Sequence, residues 1–194
     1  MLLGCAAWQT RCTKLYNGLS KPIMAPDDAI MRLAHQIDAA RKAERFLVSA
    51  GEVESLRRHG ASELHRICAD FVSSVNSNLS DAELDLSPST YAPEWYREPA
   101  ENLIQIGSQG RQMQIVFKAP SALVSTEKFV VPYILEGEIR AYNQRMLERL
   151  EIRTLSLFFC VEASTANWRY SDWRSRHSGP VDHGLLASLM KPLF

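Results

Sequence analysis

The chain lacks the short motifs that announce a chemistry. It has no G-x-x-x-x-G-K-[ST] loop, no G-x-G-x-x-G after a strand-like run and no G-x-S-x-G elbow. Nucleotide hydrolysis, dinucleotide redox chemistry and serine hydrolysis therefore drop out as leading readings. A metal-dependent nuclease is disfavoured too, because no Glu-x-Lys occurs in a strand-like segment. Cysteine is scarce: Cys5, Cys12, Cys68 and Cys160 form no C-x-x-C pair, so neither a disulfide framework nor a cysteine zinc site is indicated. No apolar run reaches the roughly 18 residues that a spanning helix needs. Charge of one sign is missing as well. The 22 basic and 22 acidic residues give a net charge of +0, and no global field draws the chain to nucleic acid or an anionic bilayer. The expectation is a cytoplasmic protein with no cofactor and no membrane association.

What is present is a core-forming composition, 46% hydrophobic over 194 residues, and an uneven charge distribution. Residues 1–26 carry Arg11, Lys14 and Lys21 and no acid. Residues 79–107 are acidic, with Arg97 as their one base, and residues 108–194 are mildly basic. Residues 1–25 read as a loosely structured leader. Leu2-Leu3-Gly4-Cys5 resembles a bacterial lipoprotein cleavage site, yet neither a charged stretch nor a useful apolar stretch precedes it.

Apolar spacing divides the rest. Pro26-Asp27-Asp28 starts a helix, and Ile30, Leu33, Ala34 and Ile37 continue it towards a stop at Ser49-Ala50-Gly51. Val53, Leu56, Gly60, Leu64, Cys68, Phe71 and Val75 mark a second helix, so residues 26–78 read as an antiparallel helical hairpin. Residues 79–100 are a connector with Pro88, Pro93, Pro99, Tyr91, Trp95 and Tyr96. Beyond it, 101–194 reads as a sheet domain. Two strands flank Gly107-Ser108-Gln109-Gly110, a helix covers 133–150, two strands cover 154–176, and Gly179-Pro180 opens a last helix. The fold expectation is α+β: an N-terminal helix pair, then a β-β-α-β-β-α antiparallel sheet with helices on one face, and 26–194 as one compact unit. In topology alone this layout resembles small bacterial chaperone-like α+β folds.

The segment Trp168-Arg169-Tyr170-Ser171-Asp172-Trp173-Arg174-Ser175-Arg176-His177 is the main candidate site. Trp and Arg combine buried area with directional polar groups, and they dominate interaction hot spots. They also stack on nucleic-acid bases. The plain structural reading is that Trp168 and Tyr170 pack under a helix while an arginine pairs with Asp172. Arg111 extends the basic surface if the two hairpins are neighbours. Asp172, His177 and His183, with Asp182 nearby, form a weak metal or acid–base candidate whose spacing fits no metal motif. His59, Glu63 and His65 lack the i,i+4 histidine spacing of a zinc helix.

The leading functional expectation is a non-enzymatic accessory protein that binds a protein partner through Trp168, Arg169, Tyr170, Trp173, Arg174, Arg176 and Arg111. A homodimer through residues 26–78 accompanies it. Nucleic-acid binding by the same hairpin, and an enzyme built around Asp172, His177 and His183, are the alternatives.

Overall fold

A computed structural model describes residues 30–38, 50–162 and 165–194. The chain divides into two units, Met1–Ala40 and Arg41–Phe194. In the first, residues 30–38 are helical (α1), and all of them are exposed. The second is built on one long helix, α2 (Ala50–Asn76), and a seven-stranded antiparallel sheet. The strands are β1 (Asp85–Ser87), β2 (Asn102–Ser108), β3 (Arg111–Lys118), β4 (Tyr133–Tyr142), β5 (Arg153–Glu162), β6 (Thr165–Asp172) and β7 (His177–Pro180), lying side by side in chain order. Two short helices complete it: α3 (Gln144–Glu148) between β4 and β5, and α4 (His183–Met190) after β7.

This overturns the expected helix pair followed by β-β-α-β-β-α, and with it the topological resemblance. The largest departure is β4, where a helix over 133–150 was expected. Along β4, Leu135, Gly137, Ile139 and Ala141 face the helices, while Glu136, Glu138, Arg140 and Tyr142 face away. Two of the four inward residues are small, so the period-two signal is faint and Leu135, Ile139 and Tyr142 mimic helical spacing. The small residues have a cause. A Cβ on Gly137 would lie 2.8 Å from Phe117 Cβ, where strand β3 crosses closely. The expected i,i+4 pair of Glu136 and Arg140 does not form: Arg140 pairs with Glu138 and Lys128 with Glu136. Gly179-Pro180 ends edge strand β7 instead of opening a helix, and the last helix starts one turn later on the Asp182 N-cap. Three connector residues form β1 against Gly107, Ile106 and Gln105. The expected stop at Ser49-Ala50-Gly51 lies partly outside the described residues, and Ala50 and Gly51 open α2.

The core follows from amphipathic patterning. Val53, Leu64, Cys68, Phe71 and Val72 of α2 bury against Ile104, Ile106, Met113, Ile115, Phe117, Ile139, Leu157 and Phe159 of the sheet. Leu186, Leu189 and Met190 of α4 join the same core. Gly60 lets α2 approach most closely, since a Cβ there would sit 2.7 Å from the Phe159 ring. Buried Arg57 ties α2 to the rest, donating from Nε to Ile134 O at 2.9 Å and from Nη2 to Leu123 O at 2.9 Å, with Glu98 as its ion-pair partner. The far face of the sheet carries a small second cluster of Tyr133, Phe158 and Cys160, on which Phe129 stacks at 4.8 Å.

Candidate interaction surface

Alternate connections of an antiparallel meander fall at the same end of its sheet. The β2–β3 turn (109–110), the β4–β5 connection (143–152) and the β6–β7 turn (173–176) therefore share one end. The candidate hairpin residues divide between this end and the core.

Trp168 belongs to the core. It is 2% exposed, donates from Nε1 to Gly60 O at 2.7 Å and packs edge-on to Phe117. Its role is to seat α2 on the sheet, so it offers no binding surface. Tyr170 follows it on the inward face, half-buried, with its ring against Gly179 and 6.4 Å from His177. Arg169 points to the opposite face, where Nη1 is 4.0 Å from the Glu162 carboxylate and Nε has no hydrogen-bond partner among the described residues. Arg111 donates from Nε to Leu193 O at 3.0 Å and lies 4.7 Å over the Phe194 ring, which fastens the C-terminal segment.

The turn beyond β6 is different. Asp172 accepts from Ser175 Oγ at 2.8 Å and from the Arg174 backbone N–H at 3.0 Å. These hydrogen bonds, that from Ser175 foremost, hold its carboxyl below the usual carboxylate range. Arg176 takes a left-handed backbone, φ +56°, to close the loop. The brace leaves Trp173 71% exposed, with the Arg174 guanidinium 5.2 Å from its ring centroid. Trp173, Arg174 and Arg176 are thus brought together at the surface.

Asp172, His177 and His183 do not converge. Asp172 organises its own turn, His177 lies beside Tyr170, and the His183 ring is 6.1 Å from Phe71. Asp182 caps α4 by accepting from Leu185 N–H at 2.8 Å. Among the described residues no group of three or more His, Cys, Asp or Glu side chains could hold a metal ion. His65 is buried and bonded to Pro88 O at 2.8 Å, and His59 is 3.9 Å from Glu63. Burial pushes the Cys68 and Cys160 thiols up to about 12, which leaves neither as a nucleophile near neutrality. No described helix is long and apolar enough to cross a membrane.

Two surface hollows lie elsewhere. One, of about 380 Å3, is walled by Arg57, Glu98, Pro120 and Leu123. The other, of about 310 Å3, opens on the far sheet face among Lys118, Lys128, Glu136 and Ser156. In both, ion pairs already neutralise the basic groups of the walls: Arg57 with Glu98, Lys128 with Glu136 and Lys118 with Glu101.

The β4–β5 connection adds residues that reading 133–150 as one helix had hidden. Asn143 caps α3 by accepting from Met146 N–H at 2.9 Å. After α3, Leu150 takes φ +56° and is 87% exposed. Arg145, Arg149 and Arg153 flank it in sequence, all exposed. The readable signal was Asn143, a helix-start residue placed after an alternating run. No family model, no curated protein and no solved structure matches this chain.

Proposed function

We propose that the chain is a non-catalytic accessory module that takes a protein partner at the β6–β7 turn. The observation supporting this is Trp173, 71% exposed on a turn braced by Asp172 and covered on one side by Arg174. A large exposed indole held still loses little conformational freedom on binding, and Trp beside Arg is the chemistry of interface hot spots. Arg174 and Arg176 supply charge around it. Arg174 occupies one face of the ring and leaves only the other for base stacking, which sets nucleic acid behind protein as the partner. A cytoplasmic setting goes with this reading, in keeping with the free thiols Cys68 and Cys160. The dimer through residues 26–78 rests on α1, where Ile30, Leu33 and Ile37 share an exposed face, because the apolar stripe of α2 is already used in the core.

The test is quantitative capture from the cells of origin with tagged full-length protein, wild type against Trp173→Ala. The reading expects at least one protein to be held by wild type and lost by the variant at unchanged melting temperature. Identical captured sets for the two proteins would sink it.

A further inference from the structure

The turn end of the sheet carries more than the hairpin. Arg145, Arg149, Arg153, Arg174 and Arg176 are all exposed there, and none reaches a carboxylate oxygen within 4.0 Å among the described residues. Elsewhere Arg57, Arg58, Arg66 and Arg140 pair with Glu98, Glu54, Asp70 and Glu138, whereas Arg97 and Arg111 have no such partner among the described residues. Strand order places the two groups side by side. β5 begins at Arg153, and its neighbour β6 runs out at Asp172 into the 173–176 turn. These five bases outnumber the acids of the same segments, Glu148, Glu151 and Asp172, and the excess positive charge is unfavourable in the free protein and is relieved by an anion from outside.

The same end exposes apolar side chains at its tips: Trp173, Leu150 and, more weakly, Leu147. Leu150 holds φ +56°, a backbone region that β-carbon sterics penalise in any residue but glycine and that asparagine tolerates best among the others. That backbone closes α3, with Leu150 N–H donating to Leu147 O at 3.2 Å and Glu151 N–H to Met146 O at 2.9 Å, a turn that glycine or asparagine would make with less strain. The leucine side chain itself joins no apolar cluster among the described residues.

We infer that the whole turn end, 143–153 together with 172–176, is one docking face for an acidic protein surface with an apolar hollow that receives Leu150 and Trp173. The inference rests on the protein-partner reading and names the chemistry of that partner. An anionic bilayer fits less well. Glu148 and Glu151 flank Leu150, both exposed, and inserting the leucine would press two carboxylates into a negatively charged headgroup layer. A protein surface supplies acids opposite the arginines and donors opposite these glutamates.

The experiment is fluorescence anisotropy with full-length protein and three probes: a labelled peptide of repeated Glu-Glu-Leu, a labelled single-stranded RNA, and vesicles of phosphatidylcholine with about a quarter phosphatidylglycerol. The peptide is expected to bind most tightly, and to lose about tenfold or more in affinity in Arg145→Glu/Arg149→Glu/Arg153→Glu and in high salt. Leu150→Asn is expected to weaken binding severalfold while the melting temperature holds or rises, a combination that a structural role for Leu150 does not give. If RNA or vesicles bind more tightly than the peptide, the partner class is wrong. If the triple variant binds as wild type while Trp173→Ala/Arg174→Ala does not, the wide face falls and the hairpin reading stands. If neither variant changes binding, both fall.

Discussion

Gly60→Ala decides whether α2 sits on the sheet as described. Within a helix the exchange of glycine for alanine ordinarily stabilises by about 1 kcal/mol. Here the new methyl would lie 2.7 Å from both Cδ1 and Cε1 of Phe159. That ring cannot swing aside freely, because Trp168 packs 5.3 Å away. Relief must come from lifting α2, which also stretches the Trp168 Nε1 to Gly60 O hydrogen bond. Overpacking costs about 1–3 kcal/mol, and weakening that bond adds about 0.5–1.5 kcal/mol. Together they outweigh the propensity gain and leave a net loss of about 1–3 kcal/mol. For a chain of this size the melting temperature falls by roughly 3–10 °C. Gly51→Ala is the internal control. It lies in the first turn of the same helix with nothing within 4 Å of a new Cβ, so it stabilises by up to about 1 kcal/mol. Urea and thermal denaturation of both variants give the two signs. Gly60→Ala as stable as wild type, or more so, would refute the close approach of α2 to Phe159.

Trp168→Phe leaves Gly60 O without its buried donor and is expected to cost about 1–3 kcal/mol in urea denaturation; no measurable loss would show the bond to be unimportant. Arg57→Met strips the donors from Ile134 O and Leu123 O and is expected to cost at least about 2 kcal/mol, a figure contradicted by a change below about 0.5 kcal/mol. Asp172 has a carboxyl pKa depressed in the folded state, so its contribution to the turn is complete above the unfolded value near 4 and fades as pH falls through the lower folded value. The protection of the Arg174 N–H, its exchange rate by NMR relative to the intrinsic rate at each pH between 6 and 2, is expected to fall across the lower part of that range in wild type and to be absent throughout in Asp172→Ala. Pushed up by burial, the Cys68 and Cys160 thiols are expected to react with a thiol probe near pH 8 only after denaturant is added.

Legibility in the sequence varied with how far each element's signal survives its packing. The stripe of α2 from Val53 to Val75 is readable because one helix face meets one core. Strands β2 and β3 are readable from alternation and from Gln109-Gly110, both at positive φ in the turn. Strand β4 hides itself, since tight contact with Phe117 demands Gly137 and the opposite face carries Glu, Glu and Arg that mimic a solvated helix. The short edge strands β1 and β7 hold too few residues to show a period. At the candidate site, strand alternation separates Arg169 from Trp168 and Tyr170, and it runs out at Asp172. The exposure of Trp173 depends on the turn that follows, and the turn depends on hydrogen bonds that the Asp172 carboxylate accepts from the Arg174 backbone N–H and the Ser175 hydroxyl. Arg145, Arg149 and Arg153 join the site only through the order of the strands, which no local pattern encodes.

The most direct test of the partner-binding turn is hydrogen exchange by mass spectrometry on the full-length protein, free and in the complex isolated from its cells of origin. Binding as proposed slows exchange across 172–177 and 143–153 and leaves α2 unchanged. Protection confined to α2 or to the far sheet face, with both turns exchanging as in the free protein, would contradict it.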